Sequence, residues 1–230
     1  MFAGVIPSPN IWSAPDIYEL ENLAVDRAGV IEDAMRSVQD WAGLDVLDVG
    51  CGTGFHLPRF AETARSVTGV EPHEPLLVTA RTRVQGLPNV RVLQGSAAAT
   101  TLPSESVDVA HARWAYFFGP GCEPGLAELG RIVRPGGVAF IIDNDATRST
   151  FGVWFAQALP RYDPAAVERF WHRHGWSRVP LEIWWTFDRR QDFEAVIRIE
   201  FARPLAESIL AEDPERTAVD YAVNLWWRRF

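Results

Sequence analysis

The chain has 230 residues, 47% of them hydrophobic, which is ample for one sizeable core and short for two domains. Its formal net charge of −8 argues against long-range attraction to nucleic acid or other phosphate-rich polymers. Every basic residue is arginine, which removes lysine Schiff-base chemistry, and the two cysteines, Cys51 and Cys122, have no metal-type or CxxC spacing.

Residues 1–16, with Pro7, Pro9 and Pro15, read as loop, and no basic apolar leader precedes them. Residues 17–38 follow a helical repeat through Ile17, Leu20, Ala24, Ile31 and Met35. From Leu44 the rhythm changes: "LDVLDVG" reads as a strand, 53–64 as a helix, 66–71 as a strand and 74–84 as a helix. "VRVLQG" and residues 106–112 are strands, 123–133 is a helix stopped by Pro135-Gly136-Gly137, and 137–143 is a fifth strand. Beyond it, 163–175 is a helix with an Asp cap, 190–211 is helical with a break near Pro204, and 181–187 and 219–230 alternate as strands. Strands alternating with helices argue for a parallel sheet covered on both faces, extended by the two late strands. No apolar run reaches the ~18 residues of a membrane span, so a soluble cytoplasmic protein is expected.

The segment with the most chemistry in it is "VLDVGCGTGFHLPRFA". Gly50, Gly52 and Gly54 stand between a strand and a helix, where glycine permits positive φ and close approach of a ligand to the backbone. Glu71 ends the next strand, about 20 residues on, as expected of a carboxylate that accepts from ribose hydroxyls. The G-x-G-x-G spacing departs from the G-x-G-x-x-G of dinucleotide sites and argues against a nicotinamide cofactor.

"VLDVGCGTG" resembles motif I of the class I S-adenosylmethionine-dependent methyltransferases. The resemblance continues through "VTGVEP", "LPSESVDVAHA" and "LAELGRIVRPGGVAFI", the last being similar to the small-molecule "type 11" branch. It covers residues 44–143 and implies a Rossmann-like, doubly wound, mostly parallel seven-stranded sheet with helices on both faces and a last antiparallel strand. The whole chain, 1–230, would be one methyltransferase domain, with 1–40 as an N-terminal lid and 144–230 completing the sheet and the substrate side. It implies S-adenosylmethionine as cofactor and S-adenosylhomocysteine as product. Gly50, Cys51, Gly52 and Gly54 would wrap the methionine part, Asp48 would orient the loop or reach the amino group, and Ala112 would offer backbone to it. Glu71 would hold the ribose, Pro72 would pack near the adenine, and Ser96 and Ala97 would meet the adenine edge. The family commonly has Asp where Ser96 stands, so that contact is weakened, water-mediated or absent.

Methyl transfer from a sulfonium is a direct displacement, so no catalytic triad is required. Candidates at the carboxyl end of the fourth strand are His111 as base, Arg113, Trp114 on the substrate side and Tyr116; a packed, hydrogen-bonded role for His111 competes with the catalytic one. Phe117 and Phe118 continue that connection, and Asp145 ends the fifth strand. Trp12 and Tyr18 would close over the cofactor, and His56 would be packed or solvated. Seven tryptophans (154, 171, 176, 184, 185, 226, 227) fall in the last third; most would be core, with some lining an aromatic cavity. The expected acceptor is a small molecule of aromatic or lipophilic kind. The alternatives are RNA or protein methylation and non-catalytic cofactor binding. Against RNA stand the acidic balance and "HARWAYF", where base-N6 methylases keep Asp/Asn-Pro-Pro-Tyr/Phe.

Overall fold

The computed structural model describes residues 5–116 and 119–230. Phe117 and Phe118, at the substrate-side connection, lie outside them. In chain order the elements are α1 (Pro9–Ser13), α2 (Pro15–Ala24), α3 (Val30–Val38), β1 (Asp45–Val49), α4 (Leu57–Ala61), β2 (Ser66–Glu71), α5 (Glu74–Arg83), β3 (Val90–Gln94) and β4 (Val107–Arg113). They continue as α6 (Glu123–Ile132), β5 (Val133–Asn144), α7 (Thr150–Ala158), α8 (Pro164–Arg173), β6 (Ser177–Thr186), α9 (Arg190–Glu200), α10 (Arg203–Glu212) and β7 (Ala218–Arg229).

The strands form a seven-stranded sheet in the order β3-β2-β1-β4-β5-β7-β6. Strands β1 to β5 are mutually parallel, while β7 runs antiparallel to both β5 and β6. The chain builds outward from β1 to β3 and then crosses back to lay β4 on the other side of β1. That reversal opens a crevice at the carboxyl ends of β1 and β4, the place where open α/β sheets bind ligands. Parallel strands buried on both faces alternate between two cores. Val46, Val109, Val138, Phe140 and Ile142 pack on one side, and Leu47, Val49, Ala110, Ala139 and Ile141 on the other.

Several expectations need correction. The helix expected over 17–38 is two helices, because Asp26 (φ +52°) and Gly29 (φ +77°) take left-handed turns between them. Asp26 then caps α3, its two carboxylate oxygens accepting from the amides of Val30 and Ile31, each at 2.9 Å. Part of the presumed leading loop is helical, α1 and the first turn of α2, with Pro9 and Pro15 at helix starts where a missing N–H costs nothing. The helix expected over 53–64 shrinks to α4, which begins after the glycine loop has finished turning. Pro135-Gly136-Gly137 does not stop α6. That helix ends at Ile132, and the Pro-Gly-Gly segment is already strand, with the Gly136 amide donating to Phe230 O at 2.7 Å. Helix α7 was not anticipated; Ser149 caps it by accepting from the Gly152 amide.

The late tryptophans are structural. Trp171 stacks on Trp226 at 5.8 Å and meets Trp176 edge-on, all three buried, whereas Trp184 is 55% exposed. Trp154 and Trp185 belong to the opposite core, around Phe151 and Phe201. None of these residues borders the main cavity, so the expected aromatic lining from the last third is not formed there.

Candidate functional site

A cavity of about 560 Å3 occupies the crevice. Its floor is the loop after β1. Gly50 has φ +70°, and a Cβ there would stand 2.8 Å from the Ala115 Cβ. Gly52 has φ +56°, and a Cβ there would meet Ile11 at 2.9 Å. The loop is pinned to the sheet by the amides of Gly50 and Cys51, which both donate to Val70 O. Gly54 faces α5 instead and is outside the lining.

Glu71 is 4% exposed and still reaches the cavity. Its carboxylate accepts from the Gly52 amide at 3.0 Å and from the His73 amide at 2.8 Å. Burial pushes its pKa up, opposed by these two amides. Each oxygen keeps lone-pair capacity for a further donor. Asp48 sits deeper. Register pairs it with His111 on β4, and His111 Nδ1 lies 2.7 Å from Asp48 Oδ1. Asp48 lines the cavity, and its Oδ2 is buried with no hydrogen-bond partner among the described residues. Ser96, Ala97 and Pro72 line the cavity, with Ser96 folded into a tight turn through reciprocal amide bonds with Ala99. Tyr116 packs beside Gly125 at this end, and burial raises its phenol pKa. The Cys51 thiol is likewise pushed up by burial.

The other end of the cavity belongs to Tyr18, Asn22, Phe55, His56, Arg113 and Trp114. Trp114, at φ +50°, directly follows β4 and donates from Nε1 to Asn144 Oδ1 at 2.7 Å, an oxygen that Tyr221 OH also donates to. Trp12 roofs the cavity from α1 and stacks flat on His73 at 4.1 Å. A second cavity of about 260 Å3 adjoins this end, sharing Asn22, Phe55, His56 and Arg113 with the first. His111 borders this second cavity and not the first. His56 is held neutral by burial and by the nearby positive charge of Arg113.

Behind Tyr18 lies a feature without a sequence signal. Glu21 on α2, buried, and Glu200 on α9, half-buried, are carboxyls that hydrogen bond to each other, and Asn10 of α1 donates to Glu200. Desolvation raises the pKa of both carboxyls, which favours a proton held between them. Of the residues expected from sequence, Asp48, Gly50, Cys51, Gly52, Glu71, Pro72, Ser96, Ala97, Tyr18, Trp114 and Tyr116 come together around one cavity. Ala112 and Asp145 do not line it. Asp145 instead binds Thr147, Arg148 and Arg178. Asn22 and Phe55 carry no motif and were found only through the fold.

Residues 46–137 match the family model of a methyltransferase domain. The chain is 34% identical over 123 residues to the malonyl-[acyl-carrier protein] O-methyltransferase of Pectobacterium atrosepticum, a match covering 53% of this chain and 46% of that one. It is 27% identical over 136 residues to the demethylmenaquinone methyltransferase of Lactococcus lactis, covering 55% and 54%. The chain thus spans about half the length of the curated relatives it matches. A solved S-adenosylmethionine-dependent methyltransferase from Aquifex aeolicus superposes with a TM-score of 0.60 at 19% identity, covering 92% of this chain and 97% of that one. Residues 46–137 thus match a methyltransferase domain, and the chain shares the fold of methyltransferases that use S-adenosylmethionine. The donor set suits that molecule: an unpartnered buried carboxylate oxygen for an ammonium, an anchored carboxylate for a ribose diol, and a glycine cradle that a Cβ would fill.

Proposed function

We propose that this chain transfers the methyl group of S-adenosylmethionine to an oxygen, nitrogen or carbon atom of a small-molecule acceptor. The observation that carries the reading is the continuity of the site. One cavity of about 560 Å3 runs from Glu71 and the glycine loop to Tyr18 and Trp114, where it meets the second chamber. Its size is that of small-molecule pockets. When bound, the cofactor supplies an electrophilic methyl on sulfur, so the protein's tasks are alignment and exclusion of water.

In this reading Glu71 accepts from the ribose hydroxyls and Asp48 Oδ2 receives the methionine ammonium. Pro72, Ser96, Ala97 and Tyr116 enclose the adenine. His111 orients Asp48 through their 2.7 Å contact. His56 lies at the junction of the chambers, where burial and the charge of Arg113 keep it neutral and make it a weak base, so it serves as a wall for the acceptor. Trp12 and Tyr18 close the site from the N-terminal helices. The two relatives act, by their names, on different acceptors, so neither acceptor carries over. An aromatic or lipophilic body suits the cavity walls formed by Phe55, Trp114 and Ile11.

The test is a melting series with S-adenosylmethionine, S-adenosylhomocysteine and NAD(H), followed by transfer of a labelled methyl to a panel of small acceptors, RNA and protein. A ligand at about 100 times its Kd adds about 2.7 kcal/mol of stability. A shift with NAD(H) and none with the adenosyl ligands would overturn the reading. Labelling of RNA or protein alone would overturn the acceptor class.

A further inference from the structure

Arg113 closes β4 and borders both cavities. Its Cζ lies 4.4 Å over the Trp114 ring, which fixes the guanidinium in place. Nε and Nη2 are buried without a hydrogen-bond partner among the described residues, and Arg113 forms no ion pair there. That sets it apart from the other arginines of the second chamber. Arg27 is paired with Asp188 at 2.8 Å, and Arg59 with Glu32.

The nearby carboxyls are already engaged. Both oxygens of Asp26 accept from the α3 amides, Glu32 holds Arg36 and Arg59, and Glu21 is hydrogen bonded to Glu200. Asp26 and Glu21 act on Arg113 from a distance without pairing with it. A desolvated cation without a directly paired counter-ion is costly, and such a cost persists where a ligand supplies the missing partner. The guanidinium's remaining nitrogen, Nη1, makes no hydrogen bond to the described residues and is not sealed off like the other two, so it is the atom available to the cavities. The walls shared by the two cavities are Phe55, Asn22 and the neutral His56; the second chamber is also lined by Asp26 and Glu32, set there against Arg27 and Arg59.

We propose that Arg113 is the anchor for an anionic acceptor. The second chamber receives a molecule bearing a carboxylate or phosphate, the oxyanion pairs with Nη1 of Arg113, and the body of the molecule lies against Phe55 and His56, directed at the cofactor cavity. Calling this ligand the acceptor rests on the methyltransferase reading; the anion site itself does not.

The test is calorimetric titration of the S-adenosylhomocysteine-loaded full chain with sodium benzoate, with inorganic phosphate and with benzamide as the uncharged control. The same titrations are run on Arg113→Gln and Arg113→Lys, with circular dichroism confirming the fold of each. Benzoate or phosphate is expected to bind the parent chain, benzamide much more weakly. Arg113→Gln should weaken the anion on the order of tenfold to a hundredfold, and Arg113→Lys should retain part of it. Benzoate alone identifies a carboxylate acceptor, and phosphate alone a phosphorylated one. Binding of neither anion to the parent chain, or equal binding by Arg113→Gln, overturns the proposal. If Arg113→Gln does not fold, an Arg113→Lys variant that binds anions and benzamide as the parent does overturns it as well. Should S-adenosylhomocysteine itself fail to bind, the methyltransferase reading falls, and the anion titrations on the unliganded chain still decide the role of Arg113.

Discussion

Glu71→Ala separates cofactor binding from folding. In the parent protein the carboxylate accepts from the amides of Gly52 and His73 and faces the cavity with lone pairs to spare. Truncation removes both expected ribose contacts, each a charge-assisted hydrogen bond of about 1.5–3 kcal/mol before the return of water is counted. A net loss of about 1–3 kcal/mol is expected, which is roughly 5- to 150-fold in Kd. Stability should respond differently. The two amides lose an acceptor, but they border a cavity that water can enter. The lost carboxylate was also one that burial penalised, its pKa raised above the ordinary range. A group whose folded pKa exceeds its unfolded one weakens the fold as pH rises through that interval, so its removal gives back stability at neutral pH. The two effects oppose each other, and the melting temperature should move little. Glu71→Gln should be worse for the fold than Glu71→Ala, because its NH2 must face one of the two amide donors. The assay is calorimetric titration with S-adenosylhomocysteine beside urea denaturation of all three proteins. An unchanged Kd for Glu71→Ala, or a loss of affinity only in step with unfolding, would refute the reasoning.

Other substitutions probe separate parts of the argument. Gly50→Ala puts a Cβ 2.8 Å from that of Ala115 at φ +70°, so denaturation should show a loss of about 1–3 kcal/mol and cofactor affinity should fall with it. Glu21→Gln keeps a donor toward Glu200 while removing the retained proton. The parent's stability should decline as pH rises from about 4.3 through the raised folded pKa, by roughly 1.4 kcal/mol per unit in that window, and the variant should be flatter and more stable at pH 8. Superimposable pH–stability curves would count against the shared proton. Trp12→Ala removes the ring stacked on His73, and S-adenosylhomocysteine should bind up to about tenfold more weakly, in keeping with an aromatic pair of about 0.5–1.5 kcal/mol. Trp171→Ala, fully buried against Trp226 and Trp176, should cost about 3–5 kcal/mol in denaturation yet leave the cofactor Kd of the folded protein unchanged.

The sequence by itself determined the parallel core and picked out the glycine loop and Glu71 that line the larger cavity. Strands β1 to β5 announce themselves through short apolar runs, and Gly50, Gly52 and Glu71 through a spacing that only a loop meeting a ligand requires. These signals are local: each depends on backbone conformation within a few residues or on a fixed strand-to-strand offset. What the tertiary structure decided is everything that depends on which distant segments meet. A continuous apolar repeat over 17–38 concealed the break at Asp26 and Gly29, because periodicity reports a buried face and not the turn between two helices. The late tryptophans could have lined a cavity, but the antiparallel placement of β7 between β5 and β6 put Trp226 against Trp171 in the core. Glu21 and Glu200 are ordinary surface-type residues in the sequence and become a proton-sharing pair only because α2 packs on α9. Arg113 likewise gains its meaning from lacking a hydrogen-bond or ion-pair partner among the described residues that other elements bring beside it. Charge balance and burial are sums over the whole fold, so no stretch of sequence holds them.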